Sequence, residues 1–320
     1  MMKKTALAAA LAAAASLFLI AWLNAPPAGM KDTLFTVARG ETIRVIAGNL
    51  EKRGLVKSRS FFLIASRPLW SRYVRAGKYR ITEGMTTLKI LRRLFRGEIV
   101  TRRITIPEGF NLYQIRDRLE GNGITPEGSF MRHAEDPAFL RRLGISSPSA
   151  EGYLFPDTYR FPEDSDARDV ITIMHRRLKG IMRQMLPAGH GRDLHRVLTM
   201  ASLIEKEARI PSERGLISSV FHNRLKRGMK LDCDPTVRYA VKRFTGPIRM
   251  SDLRSDSPYN TYRRGGLPPT PICSPGRDSI EAALRPETSD YLFFVAKNDG
   301  SHHFSKTLGE HNRAVNRYQR

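Results

Sequence analysis

The first apolar feature has no period. From Ala6 to Leu23 the chain is apolar throughout except for Ser16, and it is preceded by Lys3-Lys4 and followed by Asn24-Ala25-Pro26-Pro27. A stretch of this length crosses a bilayer as a helix. Beyond a short linker, Pro26 to Lys31, the pattern turns periodic. Phe35-Thr-Val-Ala-Arg-Gly40 reads as a strand and a glycine turn, and apolar Ile43, Ile46 and Leu50 then recur at helical spacing. This predicts a helix over Thr42 to Lys52 with Thr42 as N-cap.

The same pattern returns 69 residues later without a gap. Ile104-Thr-Ile-Pro-Glu-Gly109 matches the strand and turn, Leu112 matches Ile43, Ile115 matches Ile46 and Leu119 matches Leu50. Gly123 then matches Gly54, Ile124 matches Leu55 and Phe130 matches Phe61. Chance does not produce this, so the chain carries an internal repeat. Each copy continues with a second strand and helix: Gly77–Ile81 and Thr86–Phe95 in the first, Asp157–Phe161 and Ala167–Met182 in the second. The expected class is α+β: an N-terminal transmembrane helix, a small α+β module, then a mixed α+β catalytic domain. The boundaries expected are 1–30 for anchor and linker, 31–100 for the first module, and 101–320 for the rest, divided into 101–185 (the second copy) and 186–320. In element order and size the first copy is similar to LysM-type glycan-binding modules; the alternative is a spacer.

The stretch that organises the remainder is Leu194 to Arg224. On a helix, Leu194, Val197, Leu198, Ala201, Ile204 and Ala208 share one face, and Glu205 falls in its middle. Desolvation on such a face favours the protonated carboxyl, and a protonated carboxyl near neutral pH is a general acid. Glu207 points to the flank. The competing reading buries Glu205 against an arginine, Arg209 or Arg224. Next, Pro211 breaks the chain and Ser212 caps a helix that ends at His222, Asn223 and Arg224.

Three polar stretches follow, 231–237, 256–262 and 265–276, rich in Pro, Gly, Asn, Tyr, Thr and Asp. Rigid loops of this kind suit an oligosaccharide groove. Glu151-Gly-Tyr-Leu-Phe-Pro-Asp-Thr-Tyr159 suits a wall on which a sugar ring stacks, or else an edge strand of a core. Ser279–Leu284 reads as a short helix, Tyr291–Ala296 as a buried strand, Gly300–Ser305 as its antiparallel partner and Glu310–Tyr318 as a closing helix. His302, His303 and His311 lack the i, i+4 spacing of helical zinc sites, so no metal site is expected and hydrogen bonding is the reading kept.

Composition narrows the partners. The chain has 54 Lys plus Arg against 31 Asp plus Glu, a net charge of +23. That balance suits a polyanion: nucleic acid, anionic lipid or an acidic wall polymer. No zinc-finger, RNP-like or capped helix-turn-helix pattern is present, so no nucleic acid is expected. Lysines ahead of the apolar run place the N-terminus in the cytoplasm and the body outside it; a cleaved signal peptide ending near Leu23-Asn24-Ala25 is the alternative, with the body outside either way. Cys233 and Cys273 either pair in an oxidising compartment or stand as unrelated buried residues.

Taken together, EGYLFPDTY at 151–159, ASLIEKEA at 201–208, SSVFHNRL at 218–225, LDCDPTV at 231–237, SPYNTY at 257–262, GLPPTPICSPG at 266–276 and the 291–312 run resemble the membrane-anchored endolytic murein transglycosylase (MltG, YceG-like) family. The resemblance implies a lyase of the bacterial inner membrane that terminates peptidoglycan glycan strands. It would cleave the β-1,4 bond after N-acetylmuramic acid and leave a 1,6-anhydro end, with no cofactor. It also implies that Glu205, the first glutamate of the EKE motif, is catalytic. Glu151, Asn223, Asp234, Asn260 and Tyr262 are the candidate substrate contacts, glycan strands and the membrane the expected partners, and peptidoglycan synthases further ones. The competing expectations are a water-using muramidase with Asp232 or Asp234 as second carboxylate, a non-catalytic wall-binding anchor, and a membrane-tethered nucleic-acid binder.

Overall fold

A computed structural model describes residues 2–69, 73–186 and 193–319. The expected division between 101–185 and 186–320 falls on described residues, just ahead of 187–192, which lie outside them. The chain forms two compact units, Met1–Arg102 and Arg103–Arg320, and each has its own apolar core.

The first unit opens with α1 (Met2–Asn24), whose segment Thr5–Asn24 has a mean hydropathy of 2.3. At 1.5 Å per residue its 20 residues extend about 30 Å, enough to cross the apolar part of a bilayer. Then come β1 (Thr33–Val37), α2 (Ile43–Lys52), α3 (Arg59–Ser66), β2 (Gly77–Ile81) and α4 (Thr87–Arg96). β1 and β2 pair antiparallel with Phe35 opposite Tyr79, and both side chains are fully buried. The last turn of α1 is tied to this unit: the Thr87 hydroxyl donates to the Leu23 carbonyl (3.2 Å), the Leu88 amide to Asn24 Oδ1 (3.0 Å) and the Lys57 ammonium to the Trp22 carbonyl (3.0 Å).

From Arg102, the last residue of the first unit, β3 (Arg102–Thr105) runs into the second, which continues with α5 (Leu112–Glu120), α6 (Ser129–Ala134), α7 (Pro137–Leu143), β4 (Thr158–Phe161) and α8 (Ala167–Met185), β3 and β4 forming a two-stranded sheet. The repeat is visible down to single hydrogen bonds. Thr42 caps α2 through the Val45 amide, and Asn111 caps α5 in a full capping box with Gln114. Both helices stop on a left-handed glycine, Gly54 at φ 65° and Gly123 at φ 64°. In each case the following amide reaches back to the last leucine: Leu55 to Leu50 and Ile124 to Leu119, both at 2.9 Å. The correspondence slips at the next helix, where Phe62, not Phe61, is the fully buried counterpart of Phe130.

The remainder comprises α9 (Leu194–Glu207), α10 (Arg214–Lys226), α11 (Asp234–Ala240), α12 (Met250–Leu253), α13 (Arg277–Leu284), the antiparallel pair β5 (Phe293–Ala296) and β6 (His302–Ser305), and α14 (Leu308–Tyr318). α9 packs against α13, α10 and α11. Two sequence expectations are corrected. α10 starts at Arg214 after a 3-10 turn over Pro211–Glu213 and has no side-chain cap, so Ser212 does not cap it. The stretch read as a polar loop at 231–237 enters α11, because Pro235 sits in the helix's first turn, where its missing N–H costs nothing. Of the two readings of 151–159, the core is the one the structure favours: Tyr153, Leu154, Phe155 and Tyr159 are all buried.

Candidate active site

α9 is fixed at its N-terminus by Asp193, whose carboxylate accepts from the His195 and Arg196 amides. Leu198, Ala201, Leu203 and Ile204 bury its apolar face, which carries Glu205 inward as the spacing predicts; its side chain is 8 % exposed. Glu205 Oε2 accepts a 2.9 Å hydrogen bond from the Gly276 amide at the head of α13, and its Oε1 lies 4.0 Å from the Arg214 guanidinium. The nearby arginine is thus Arg214, neither Arg209 nor Arg224.

Two loops clamp this spot. The turn after β3 reaches it through Gly109, where a β-carbon would stand 3.7 Å from Glu205 Cγ. The Lys206 ammonium donates to the Gly109 carbonyl (3.3 Å). The turn then pairs with the proline-rich loop, the Gly109 amide donating to the Ser274 carbonyl (2.9 Å) and the Ser274 amide to the Phe110 carbonyl (2.8 Å). That loop was expected to line an open groove. Instead its 270–276 portion is buried, and buried backbone must find partners. The Ile272 amide finds Ser202 Oγ (3.1 Å), and the Gly276 amide finds Glu205. The loop is therefore a strut between α9 and the β3 turn.

Sequence reasoning passed over Glu108 in this turn. A β-carbon at Gly276 would fall onto its carboxylate, so the two are in direct contact. Burial raises its proton affinity first, the neighbouring Glu205 raises it further, and Arg214 opposes both.

Glu207 serves a different place. It lines a cleft of about 550 Å³ with Arg224, Asp232, Asp234, Tyr262, Phe293 and His311 among its other walls. Burial pushes its carboxyl up to about 7, against a hydrogen bond from the Cys233 thiol. Tyr262 donates to Asp234 Oδ1 (2.6 Å) at the cleft wall, which brings two of the expected substrate contacts together.

The other three expected contacts are tied to protein groups. Glu151 is fully buried; its Oε2 accepts from the Leu112 amide (3.1 Å) and the Tyr239 hydroxyl (2.9 Å), and burial pushes its carboxyl up to about 7. Asn260, also fully buried, donates to the Leu253 and Ser255 carbonyls and accepts from the Tyr262 amide. Asn223 donates to the Ser289 and Tyr291 carbonyls. Cys233 and Cys273 are free and buried. His302 meets Glu213 through Nδ1 at 2.7 Å, and among the described residues no three His, Cys, Asp or Glu side chains are grouped to hold a metal ion.

Known proteins resemble this chain along most of its length. The endolytic murein transglycosylase of Bacillus subtilis is 35 % identical over 310 residues, covering 90 % of this chain and 86 % of that protein. The endolytic murein transglycosylase of Streptococcus pneumoniae serotype 2 is 31 % identical over 317 residues, 87 % of this chain and 57 % of the longer relative. The crystal structure of a yceG-like protein from Listeria monocytogenes superposes with a TM-score of 0.59 at 34 % identity, covering 89 % of this chain and 99 % of that one. With residues 35–317 matching its family pattern, the chain belongs to the YceG-like family.

Proposed function

We propose that this protein is an endolytic murein transglycosylase in which Glu205 is the sole acid and base. The observation that carries the reading is a single carboxyl, almost wholly removed from solvent, fixed by the Gly276 amide beside Arg214. As the β-1,4 bond between N-acetylmuramic acid and N-acetylglucosamine breaks, Glu205 gives its proton to the departing oxygen and positive charge develops on the sugar. The resulting carboxylate, held by the Gly276 amide, takes the proton of the muramoyl C6 hydroxyl as that oxygen closes on C1. An internal hydroxyl replaces water, so no second carboxylate is needed to activate one. Asp234 and Tyr262 contact the glycan from the cleft wall. Glu151, Asn223 and Asn260 act from beneath, holding the loops in place.

The experiment is digestion of isolated sacculi with the wild type and Glu205→Gln, products weighed by mass spectrometry. The anhydro product is one water lighter than a hydrolytic one. A hydrolytic product points to the muramidase alternative, and undiminished release by the variant rejects Glu205.

A second reading makes Glu207 the acid, favoured by its cleft and its carboxyl near 7. Glu207→Gln beside Glu205→Gln separates the two.

α1 supports anchorage in the inner membrane, with Lys3 and Lys4 cytoplasmic and the two units outside. The strand–helix–helix–strand order of the first unit supports a LysM-like grip on glycan, and peptidoglycan synthases are the partners proposed.

A further inference from the structure

The two copies of the repeat differ at the turn that follows their first strand. Arg39 in the first copy stands where Glu108 stands in the second, between otherwise matching strands and glycines. The second copy's turn meets α9, through the Lys206 bond to Gly109 and the packing of Gly109 on Glu205. Glu108 there lies against Gly276, the residue whose amide holds Glu205. Two carboxyls thus flank one glycine. A methyl group here would take the Glu108 carboxyl's place, so the flexible end of Glu108 would have to move aside.

Resting on the assignment of Glu205 above, we propose that Glu108 is a positioning residue for its proton transfer. The two carboxyls hold one proton between them across the Gly276 backbone, so each catalytic cycle starts with a single negative charge facing Arg214. The charges around the pair are Lys206 on α9, Arg214 at the start of α10 and Asp278 on α13. Arg277 turns away to Gln184. Burial is the main reason the proton affinity of Glu108 is raised, and the charge of Glu205 adds to it.

The balance closes. One proton leaves Glu205 for the glycosidic oxygen, which keeps the bonding electron pair. The pair of carboxyls is then doubly negative opposite Arg214 and the cationic sugar. The C6 hydroxyl oxygen forms its bond to C1 and its proton returns to Glu205, so no proton is gained or lost.

The test measures anhydro-product release by the full-length enzyme from about pH 5 to 9, for wild type, Glu108→Gln, Gly276→Ala and the double variant. Removing the second carboxyl weakens the hold on the proton. The alkaline limb of kcat for Glu108→Gln is therefore expected to move down by roughly one pH unit, with KM unchanged. Gly276→Ala keeps the N–H that Glu205 needs but displaces the Glu108 carboxyl, so it should move the limb the same way. The double variant should go no further than Glu108→Gln alone. An alkaline limb that stays at the wild-type position in Glu108→Gln overturns the proposal. If circular dichroism finds that variant unfolded, Gly276→Ala decides by the same criterion. The assignment of Glu205 fails by a separate result, undiminished turnover in Glu205→Gln. An inactive Glu205→Gln beside an unshifted Glu108→Gln refutes the role of Glu108 alone.

Discussion

Glu205 and Glu207 stand two residues apart on α9 yet work in separate surroundings: the first takes the Gly276 amide and faces Arg214, the second opens on the cleft with Asp234 and Tyr262. Two residues on a helix differ by about 200° of rotation, so one motif supplies both faces. Glu205→Gln should lower turnover by about 10²- to 10⁴-fold without lowering the thermal midpoint, whereas Glu207→Gln should stay within about tenfold of wild type and give the same anhydro product. Chromatography of digested glycan strands compares them directly.

Glu151 makes stability depend on pH. Its folded-state carboxyl titrates near 7 against an ordinary 4.5, so the folded chain binds its proton more tightly than the unfolded chain does. The resulting stability is fully present below 4.5 and is lost as pH rises through about 7. Glu151→Gln keeps an acceptor for the Leu112 amide and the Tyr239 hydroxyl and does not titrate. The variant should therefore gain on wild type by up to about 3 kcal/mol between acid and mildly alkaline pH, as read from urea unfolding at the two pH values.

Arg224 is a buried cross-brace. It donates to the carbonyls of Leu292 (2.6 Å), Lys230 (3.1 Å) and Leu231 (3.1 Å), and to Asp232. Arg224→Ala leaves these carbonyls without donors, at a cost on the order of 3 kcal/mol. The urea midpoint of the second unit should fall with the m-value unchanged.

The cysteines carry no crosslink. Reducing agent should leave the thermal midpoint where it is, and a thiol reagent should label both residues only after unfolding. Burial also keeps both thiols protonated, which slows any reaction in the folded state.

The legible parts of the molecule were those written in period and punctuation. Thr42 and Asn111 announce their helices because each precedes an apolar 3.6 pattern, and Gly54 and Gly123 end them visibly. α3, α6 and α7 were missed because each spans eight residues or fewer, too short to show a period. α11 was hidden by its own start signal, a proline among polar residues. The inward face of Glu205 followed from spacing alone. What it touches did not, since Gly276 and Arg214 arrive from elsewhere in the sequence. Glu108 had a signal, the charge reversal against Arg39 ahead of a matching glycine, which the apolar positions of the repeat do not carry. The burial of Glu151 and Asn260 had none, because polar loop residues look alike until a neighbouring segment covers them.

The separate cores of the two units also bear on how the chain comes to be made. Phe35, Ile46, Leu50, Phe62, Tyr79 and Ile90 all lie within the first 102 residues, and none belongs to the other core. During synthesis the leading body therefore holds every apolar partner that its collapse requires before the longer one has emerged.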